Sequence, residues 1–195
     1  LTNQWDIPDI DIKDNLDIIT WNCEFFPTAN DSTIKALSEA ITDLNVDIIA
    51  FQEIKNRGWF SKLMQRIPDY DFIISQQSSF MDQAIIYKRE LFSLVSRLEL
   101  FAENDYYFAG RPPIMARFIH NDSQTKFSVI NLHMKCCDSG LYRRQQAAKM
   151  LYEYAVDNLD INENLIILGD WNDDLKDDDG EHCFDTFMND DRFIF

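Results

Sequence analysis

The sequence predicts a mixed α/β domain in which helices pack on the outsides of β-sheets. Three observations predict it. Short apolar runs recur along the whole chain between polar turns and read as strands. Three stretches carry apolar residues at helical spacing. Hairpins and helices are interleaved rather than grouped in blocks, which suits sheets covered by helices. The length, 195 residues, fits one core, and a hydrophobic content of 46% is enough to fill it.

Taken in order, Ile10 and Ile12 alternate with polar residues, an extended signal, and residues 18–21 form the first clear strand. Ile34, Leu37, Ile41 and Leu44 then fall on one helical face, with Asn30, Asp31 or Ser32 as N-cap. Residues 47–51 (DIIAF) return to strand. Phe60, Leu63, Met64 and Ile67 make a shorter helical stripe that stops before Pro68. Residues 72–75, 84–87, 94–100 and 114–119 read as strands. Asn121-Asp122-Ser123-Gln124 reads as a hairpin turn into the strand 127–132, which leaves His120 solvated in the turn. The longest helix is expected at 141–159, burying Leu141, Ala148, Leu151, Tyr152, Ala155 and Leu159, and the run 165–168 is the last strand. All these stripes read as core.

Composition excludes several classes. Gly and Pro number 5 each, which excludes collagen-like and low-complexity chains. The apolar runs fall far short of the roughly 18 residues of a membrane helix. No basic start followed by an apolar stretch is found at Leu1, so no signal peptide is expected in the chain. The first residue is not Met, which fits removal of an upstream segment. A net charge of −16 argues against coating DNA by bulk attraction. It leaves room for a nucleic-acid enzyme whose site is locally positive or holds a metal. Four cysteines are too few for a disulfide scaffold, and they show no CxxC zinc signature. Cys136 and Cys137 are adjacent and could be core residues, a strained vicinal disulfide, or separate partners for Cys183 or Cys23. A disulfide would favour an exported protein. Cys23, just after a strand, reads most simply as a buried thiol.

Polar and ionisable residues recur where strands end: Asn22, Glu53, Tyr87, His133, and the group Asp170 to Asp173 after Gly169. Loops at strand ends are where rigid scaffolds display reactive groups. Carboxylates, an imidazole and amides together suit hydrolysis of a phosphate ester with a hard divalent cation. Such a cation takes one or two carboxylates, here Glu53 and Asp170, with an amide oxygen from Asn22. The negative charge of the transition state calls for metal, imidazole and amide donors, and His133 and Asn172 are of the right types. Eight of the 18 Lys and Arg residues, Lys55, Arg57, Lys88, Arg89, Arg111, Lys135, Arg143 and Arg144, lie in or just after these motifs. Convergence of the motifs would give a positive rim on an acidic molecule. The run from Asp173 to Gly180 reads as a solvated acidic loop, because Leu175 stands at the first ligand position of a calcium loop.

The series WNCEF, FQEI, AIIYK, RPP, NLHMK and GDWND, in this order, resembles the endonuclease/exonuclease/phosphatase superfamily, the DNase I-like fold, over about residues 17 to 190. The elements His133 to Cys137 and Arg143 to Gln146 also look like a bacterial, often exported subgroup, which implies secretion or a periplasmic place, with the cytoplasm as the alternative. The resemblance implies a four-layer αββα sandwich of two mixed sheets, forming one domain over residues 1–195. It implies Mg²⁺ held by Glu53 and Asn22, with Mn²⁺ as an alternative, while an accessory Ca²⁺ rests on the acidic run from Asp173 to Gly180 as the alternative to a solvated loop. Tyr87 and His133 would contact the phosphate, Asp170 would activate the attacking water, and Asn172 would position it. Arg111 and Arg144 would be further phosphate contacts. The family ends in a Ser-Asp-His-like motif that this chain does not show, so the chain is expected to be a fragment without its C-terminal strands, roughly 50–60 residues short. Glu181-His182-Cys183 does not match that motif, so His182, near Asp185, is a poor substitute. The expected function is a divalent-metal-dependent phosphodiesterase using in-line attack by water, specifically a nucleic-acid endonuclease acting as a monomer without stable membrane association. The alternatives are a phosphatase or phospholipase on inositol phosphates or sphingomyelin, and a catalytically dead scaffold.

Overall fold

The eight runs read as strands from residue 18 onward all form strands in the computed structural model, which describes residues 4–5, 7–12, 15–158 and 164–195. They are β1 (Ile18–Phe26), β2 (Ile48–Ile54), β3 (Tyr70–Ile74), β4 (Asp82–Lys88), β5 (Phe92–Glu99), β6 (Ile114–His120), β7 (Lys126–His133) and β8 (Asn164–Asp170). The helices are α1 (Asp31–Leu44), α2 (Arg57–Met64), α3 (Leu141–Asn158) and a short α4 (Asp185–Met188) that the apolar spacing does not announce.

One sheet has the order β1-β2-β4-β3 and the other β5-β6-β7-β8. Among the described residues only β1/β2 and β7/β8 are parallel pairs, and each pair is joined by a helix, α1 or α3, as a parallel connection requires. Apolar side chains sort into three slabs. Ile19, Ile49, Phe51 and Ile86 pack under α1 and α2 with Ile34, Leu37, Phe60 and Leu63. Ile48, Ile85, Phe118, Phe127 and Val129 fill the space between the sheets. Ile130, Leu132, Ile167 and Met115 pack under α3 against Ala147, Ala148 and Leu151. Helix, sheet, sheet, helix is the four-layer αββα sandwich. The alternation along each strand sends one set of side chains inward and the other toward a helix.

Three expectations are corrected, and a fourth, the N-cap of α1, holds in place with a different bond. Ile10 and Ile12 lie in no strand and are 41% and 58% exposed. Asn30 occupies the N-cap of α1, but its side chain makes no capping bond, and Thr33 Oγ1 instead accepts the Ala29 N–H at 2.8 Å. The turn between β6 and β7 is where it was expected, yet His120 is only partly exposed. Its ring packs edge-on against Phe92 (5.5 Å), and Nδ1 takes the Ser123 N–H at 3.2 Å. Leu141 and Tyr152 are half-buried rather than fully buried in α3. Leu159 lies outside the described residues.

Candidate active site

Strand direction decides which motifs can meet. The C-terminal ends of the parallel pairs β1/β2 and β7/β8 lie side by side, Asn22 opposite Gln52 and His133 opposite Asp170. Along β7 the inward face runs Phe127, Val129, Asn131, His133, turning from apolar to polar as it leaves the core. Along β8 it runs Ile166, Leu168, Asp170. Two strands from each sheet thus carry their polar ends to one rim of the sandwich.

Two local distortions aim the carboxylates. Between Phe51 and Ile54 of β2, three residue steps face two on β4, from Ala84 to Asp82, which is a bulge. Without it, Glu53 would follow Phe51 toward the helices. Glu53 instead takes φ 62°, a conformation that a non-glycine residue adopts only at a cost of about 1–3 kcal/mol. In β8 the device is Gly169, with φ 139°. A Cβ there would stand 2.1 Å from the Leu132 carbonyl oxygen and 2.7 Å from its nitrogen. Only glycine lets β8 lie this close to β7 at the step that brings Asp170 beside His133.

The side chains then converge. Asn22 Nδ2 donates to Asp170 Oδ2 at 2.7 Å and to Glu53 Oε1 at 3.1 Å. His133 Nε2 lies 3.7 Å from the same Asp170 oxygen and 3.8 Å from the same Glu53 oxygen. Glu53 Oε2 accepts the Phe25 N–H at 3.1 Å, and Asp170 Oδ1 accepts the Asn172 N–H at 2.9 Å. Asn172, at φ 52°, donates its side-chain N–H to Met134 O and so ties the turn after β8 to the end of β7. His133 is 4% exposed, and its Nδ1 has no hydrogen-bond partner among the described residues. Burial first, then the Arg111 guanidinium, hold its pKa down at about 4 against the pull of Asp170 and Glu53, so the ring is neutral at pH 7. Burial likewise lowers Arg111, which donates to His133 O (3.1 Å) and Met134 O (2.7 Å).

The structure therefore joins Asn22, Glu53, His133, Asp170 and Asn172, with Arg111 holding the backbone beneath them. It does not join Tyr87 or Arg144 as expected. β4 runs antiparallel to β2, so Tyr87 faces Ile48, five residues and about 16 Å from Glu53. It packs in the inter-sheet core, 4.9 Å from Phe118, and burial raises its pKa. Arg144 is 5% exposed and is used within the fold. It pairs with Asp173 Oδ2 at 2.9 Å and donates to the carbonyls of Lys135 and Cys137 at 3.1 and 2.8 Å. The basic rim is smaller than its sequence count. Lys88 pairs with Asp47 (3.0 Å) and Arg89 with Tyr70 O (2.9 Å) at the far end, and Arg57 is taken by Asp82 (2.6 Å). A wide groove of about 1230 Å³ at that far end, lined by Asp47, Lys88, Phe92 and His120, lies away from the converging carboxylates. His182 is 1% exposed, and its Nδ1 accepts the Phe184 N–H at 3.1 Å.

Sequence reasoning passed over two residues. Gln52 and Asn131 lie on the inward faces, two positions from the site in β7 and one in β2, and bond to each other at 2.7 Å. Asn131 also donates to Phe51 O and Ala84 O, and Gln52 to Thr20 Oγ1. This buried amide tie fixes the two sheets just below the reactive groups. The period-two step back from His133 was the available signal.

The donor set fits a hard divalent cation. Two carboxylates point at one spot and share the same two nitrogen neighbours, an arrangement of like charges that a cation relieves. The Asn22 amide presents N–H groups to that spot in this structure while its Oδ1 accepts the Glu24 N–H at 2.9 Å, so offering the oxygen to a cation requires the amide to turn and give up that bond. Separately, Asp179, His182 and Asp185 bring their ligand atoms within 4.8 Å of one another beside the acidic loop.

The fold recurs in known proteins. No curated protein matches the chain. In solved structures the fold recurs in TDP2 of D. rerio complexed with a single-strand DNA product (17% identity, TM-score 0.68, 83% of this chain and 62% of that one). It recurs in the human Nocturnin catalytic domain with bound sulfate (17%, 0.69, 91% and 69%). It recurs again in a mannosyl-6-phosphatase of Bacteroides thetaiotaomicron (17%, 0.67, 88% and 71%). The chain spans about 62–64% of the length of the TDP2 structures from D. rerio. The family model for the endonuclease/exonuclease/phosphatase family matches residues 19–186, from the second residue of β1 to the second of α4. By this match across all eight strands, the chain belongs to the endonuclease/exonuclease/phosphatase family.

Proposed function

We propose that this chain carries the reactive rim of a divalent-metal-dependent phosphodiesterase that hydrolyses nucleic acid by in-line attack of water. The observation that carries this reading is the convergence of Glu53 and Asp170 on the same two nitrogens, Asn22 Nδ2 and His133 Nε2. Glu53 and Asn22 would hold Mg²⁺ or Mn²⁺, which when bound supplies charge neutralisation at the phosphate. Asp170 keeps Oδ1 on the Asn172 N–H, and its Oδ2, which the Asn22 amide orients toward the shared spot, would take a proton from the attacking water. His133, neutral and buried, donates Nε2–H to a phosphoryl oxygen rather than transferring a proton. Arg111 holds the β7 exit carbonyls, so the ring cannot drift. An accessory Ca²⁺ draws less support: Asp179 and Asp185 offer carboxylates beside the acidic loop, but His182 between them is a nitrogen donor whose Nδ1 already accepts the Phe184 N–H, whereas Ca²⁺ takes oxygen ligands.

Nicking of supercoiled plasmid with Mg²⁺, with and without EDTA, tests the proposal. EDTA-sensitive nicking is expected, falling by about 10²–10³ or more in Glu53→Ala and His133→Ala while both variants stay folded. Turnover retained in Glu53→Ala would overturn it. A second reading, a monoester phosphatase, draws support from the net charge of −16, which suits a small phosphate better than a polyanion. The mannosyl-6-phosphatase likeness also fits it. Folded protein that binds Mg²⁺ and releases phosphate from sugar phosphates, without nicking, would favour that reading.

A further inference from the structure

We propose that Cys136 and Cys137 are a peroxide-responsive modification site that closes reversibly to a vicinal disulfide, and that closure loosens the hold of Arg144 on the loop after His133. The two Sγ atoms stand 2.8 Å apart, with Cys137 donating. Cys137 is exposed and Cys136 half-buried, so an oxidant reaches the pair. Lys135 Nζ lies 3.4 Å from Cys136 Sγ, a cation placed to favour a thiolate there. The Cys137 hydrogen bond first, with Lys135 and Arg111 adding to it, holds the Cys136 thiol below its ordinary pKa. Of the other two, Cys183 is buried, and Cys23, half-buried like Cys136 rather than fully buried as expected, has no cation beside its sulfur among the described residues and the opposite electrostatics. Burial and the Glu53 charge push Cys23 up to about 12, and burial with Asp173 raises Cys183, which is 3% exposed. A low-pKa thiol beside an accessible second thiol is the arrangement of a redox sensor with its resolving partner.

The chemistry balances with hydrogen peroxide as oxidant. The Cys136 thiol gives up its proton, the thiolate attacks one peroxide oxygen, the O–O bond breaks, and the sulfur is left as a sulfenic acid while the departing hydroxide takes up the proton lost from Cys136 and leaves as water. Cys137 Sγ then attacks that sulfur, the S–S bond forms, and hydroxide leaves with the Cys137 proton as a second water. Two thiols are oxidised by two electrons, and one peroxide is reduced to two waters. Adjacent Cα atoms lie about 3.8 Å apart, short of the roughly 4.4–6.8 Å span of ordinary disulfides. The bond is therefore strained and returns readily to dithiol.

Its position gives the change somewhere to go. The disulfide ring includes the N–Cα bond of Cys137, whose φ is 71°. Beyond that bond, Cys137 O accepts both the Gly140 N–H and Arg144 Nη1, each at 2.8 Å. Arg144 in turn is paired with Asp173 of the turn after β8. Closing the ring re-aims Cys137 O and weakens both bonds.

Intact mass, peptide mapping and amide exchange test this without any need for activity. Peroxide is expected to remove about 2 Da, map to a link between residues 136 and 137, and be reversed by dithiothreitol. Cys137→Ser is expected to show no such loss and to leave a sulfenic acid trappable by dimedone. Exchange at the Gly140 amide is expected to speed up on oxidation. Retention of four thiols, a link to Cys23 or Cys183, or an irreversible sulfinic acid at Cys136 would overturn the pair. Unchanged exchange at Gly140 would overturn its transmission to Arg144.

Discussion

Two residues of the rim separate a structural requirement from a chemical one. Gly169 is needed because any Cβ would meet the Leu132 backbone at 2.1 Å and because φ is 139°. Gly169→Ala should therefore cost on the order of 3 kcal/mol or more, read as a lower urea midpoint, since backbone cannot yield as a side chain can. His133 shows the opposite kind of cost. Its pKa falls from an ordinary 6.5 to about 4 on folding, chiefly by burial. Above pH 6.5 both states are neutral and the ring contributes nothing. Between about 6.5 and 4 the unfolded chain binds a proton that the folded chain refuses, so stability falls as pH falls. The full loss is about 3 kcal/mol. In metal-free buffer, urea melts from pH 7 to 4 should show this slope, and His133→Asn should flatten it. Equal slopes in the two proteins would show that His133 is not held neutral. Neither effect was legible in the sequence. Glu53, His133 and Asp170 stood out as polar residues ending apolar runs, but clash at Gly169 depends on a neighbouring strand 37 residues earlier. Depression of the His133 pKa depends first on burial at the rim of the sandwich and then on Arg111, 22 residues earlier.

At the level of elements, existence was legible and direction was not. Apolar runs give strands, and helical stripes give α1, α2 and α3, because burial of alternate or i, i+3, i+4 positions is local information. Tyr87 was misplaced because a strand's end has no fixed side of the sheet until its pairing is known. β1, β2, β7 and β8 bring their C-terminal ends to one rim, and antiparallel β4 takes its own to the other. Arg144 was misread for a related reason, since its partner Asp173 sits 29 residues on, across the β7–α3–β8 unit. The tie that keeps these elements in register is the Gln52–Asn131 pair. Asn131→Leu would remove the donor to Phe51 O and Ala84 O and leave Gln52 without its partner across the sheets. It should lower stability by about 2–4 kcal/mol with an unchanged urea m-value. Loss of activity without loss of stability in this variant would instead mean that the amides act in the site.

Over the whole molecule, the question is how a chain of net charge −16 could hold a polyanion. Several of its cations near the motifs are already paired, buried or at the far end. Lys88 lies with Asp47, Arg57 with Asp82, Arg144 with Asp173, and Arg111 is buried. Near the rim, Lys55 lies over the Phe25 ring, Lys135 beside Cys136, and Arg143 over the Tyr106 ring, and these three are not consumed by a carboxylate in any ion pair among the described residues. Each phosphate neutralised on a single strand contributes about −0.7 to the slope of log K against log salt. Three rim cations therefore give a slope near about −2, far shallower than that of a protein that coats DNA. The acidic body elsewhere repels flanking strand, so binding should depend on the few nucleotides at the rim and gain little from length. Fluorescence anisotropy of labelled single-stranded oligonucleotides, with His133→Ala to suppress turnover, reads both quantities across a potassium chloride series. A slope near −2 that is independent of length would place recognition at the rim. A slope steeper than about −5, or affinity rising with every added nucleotide, would require a second basic surface and would break the link between the rim and the substrate.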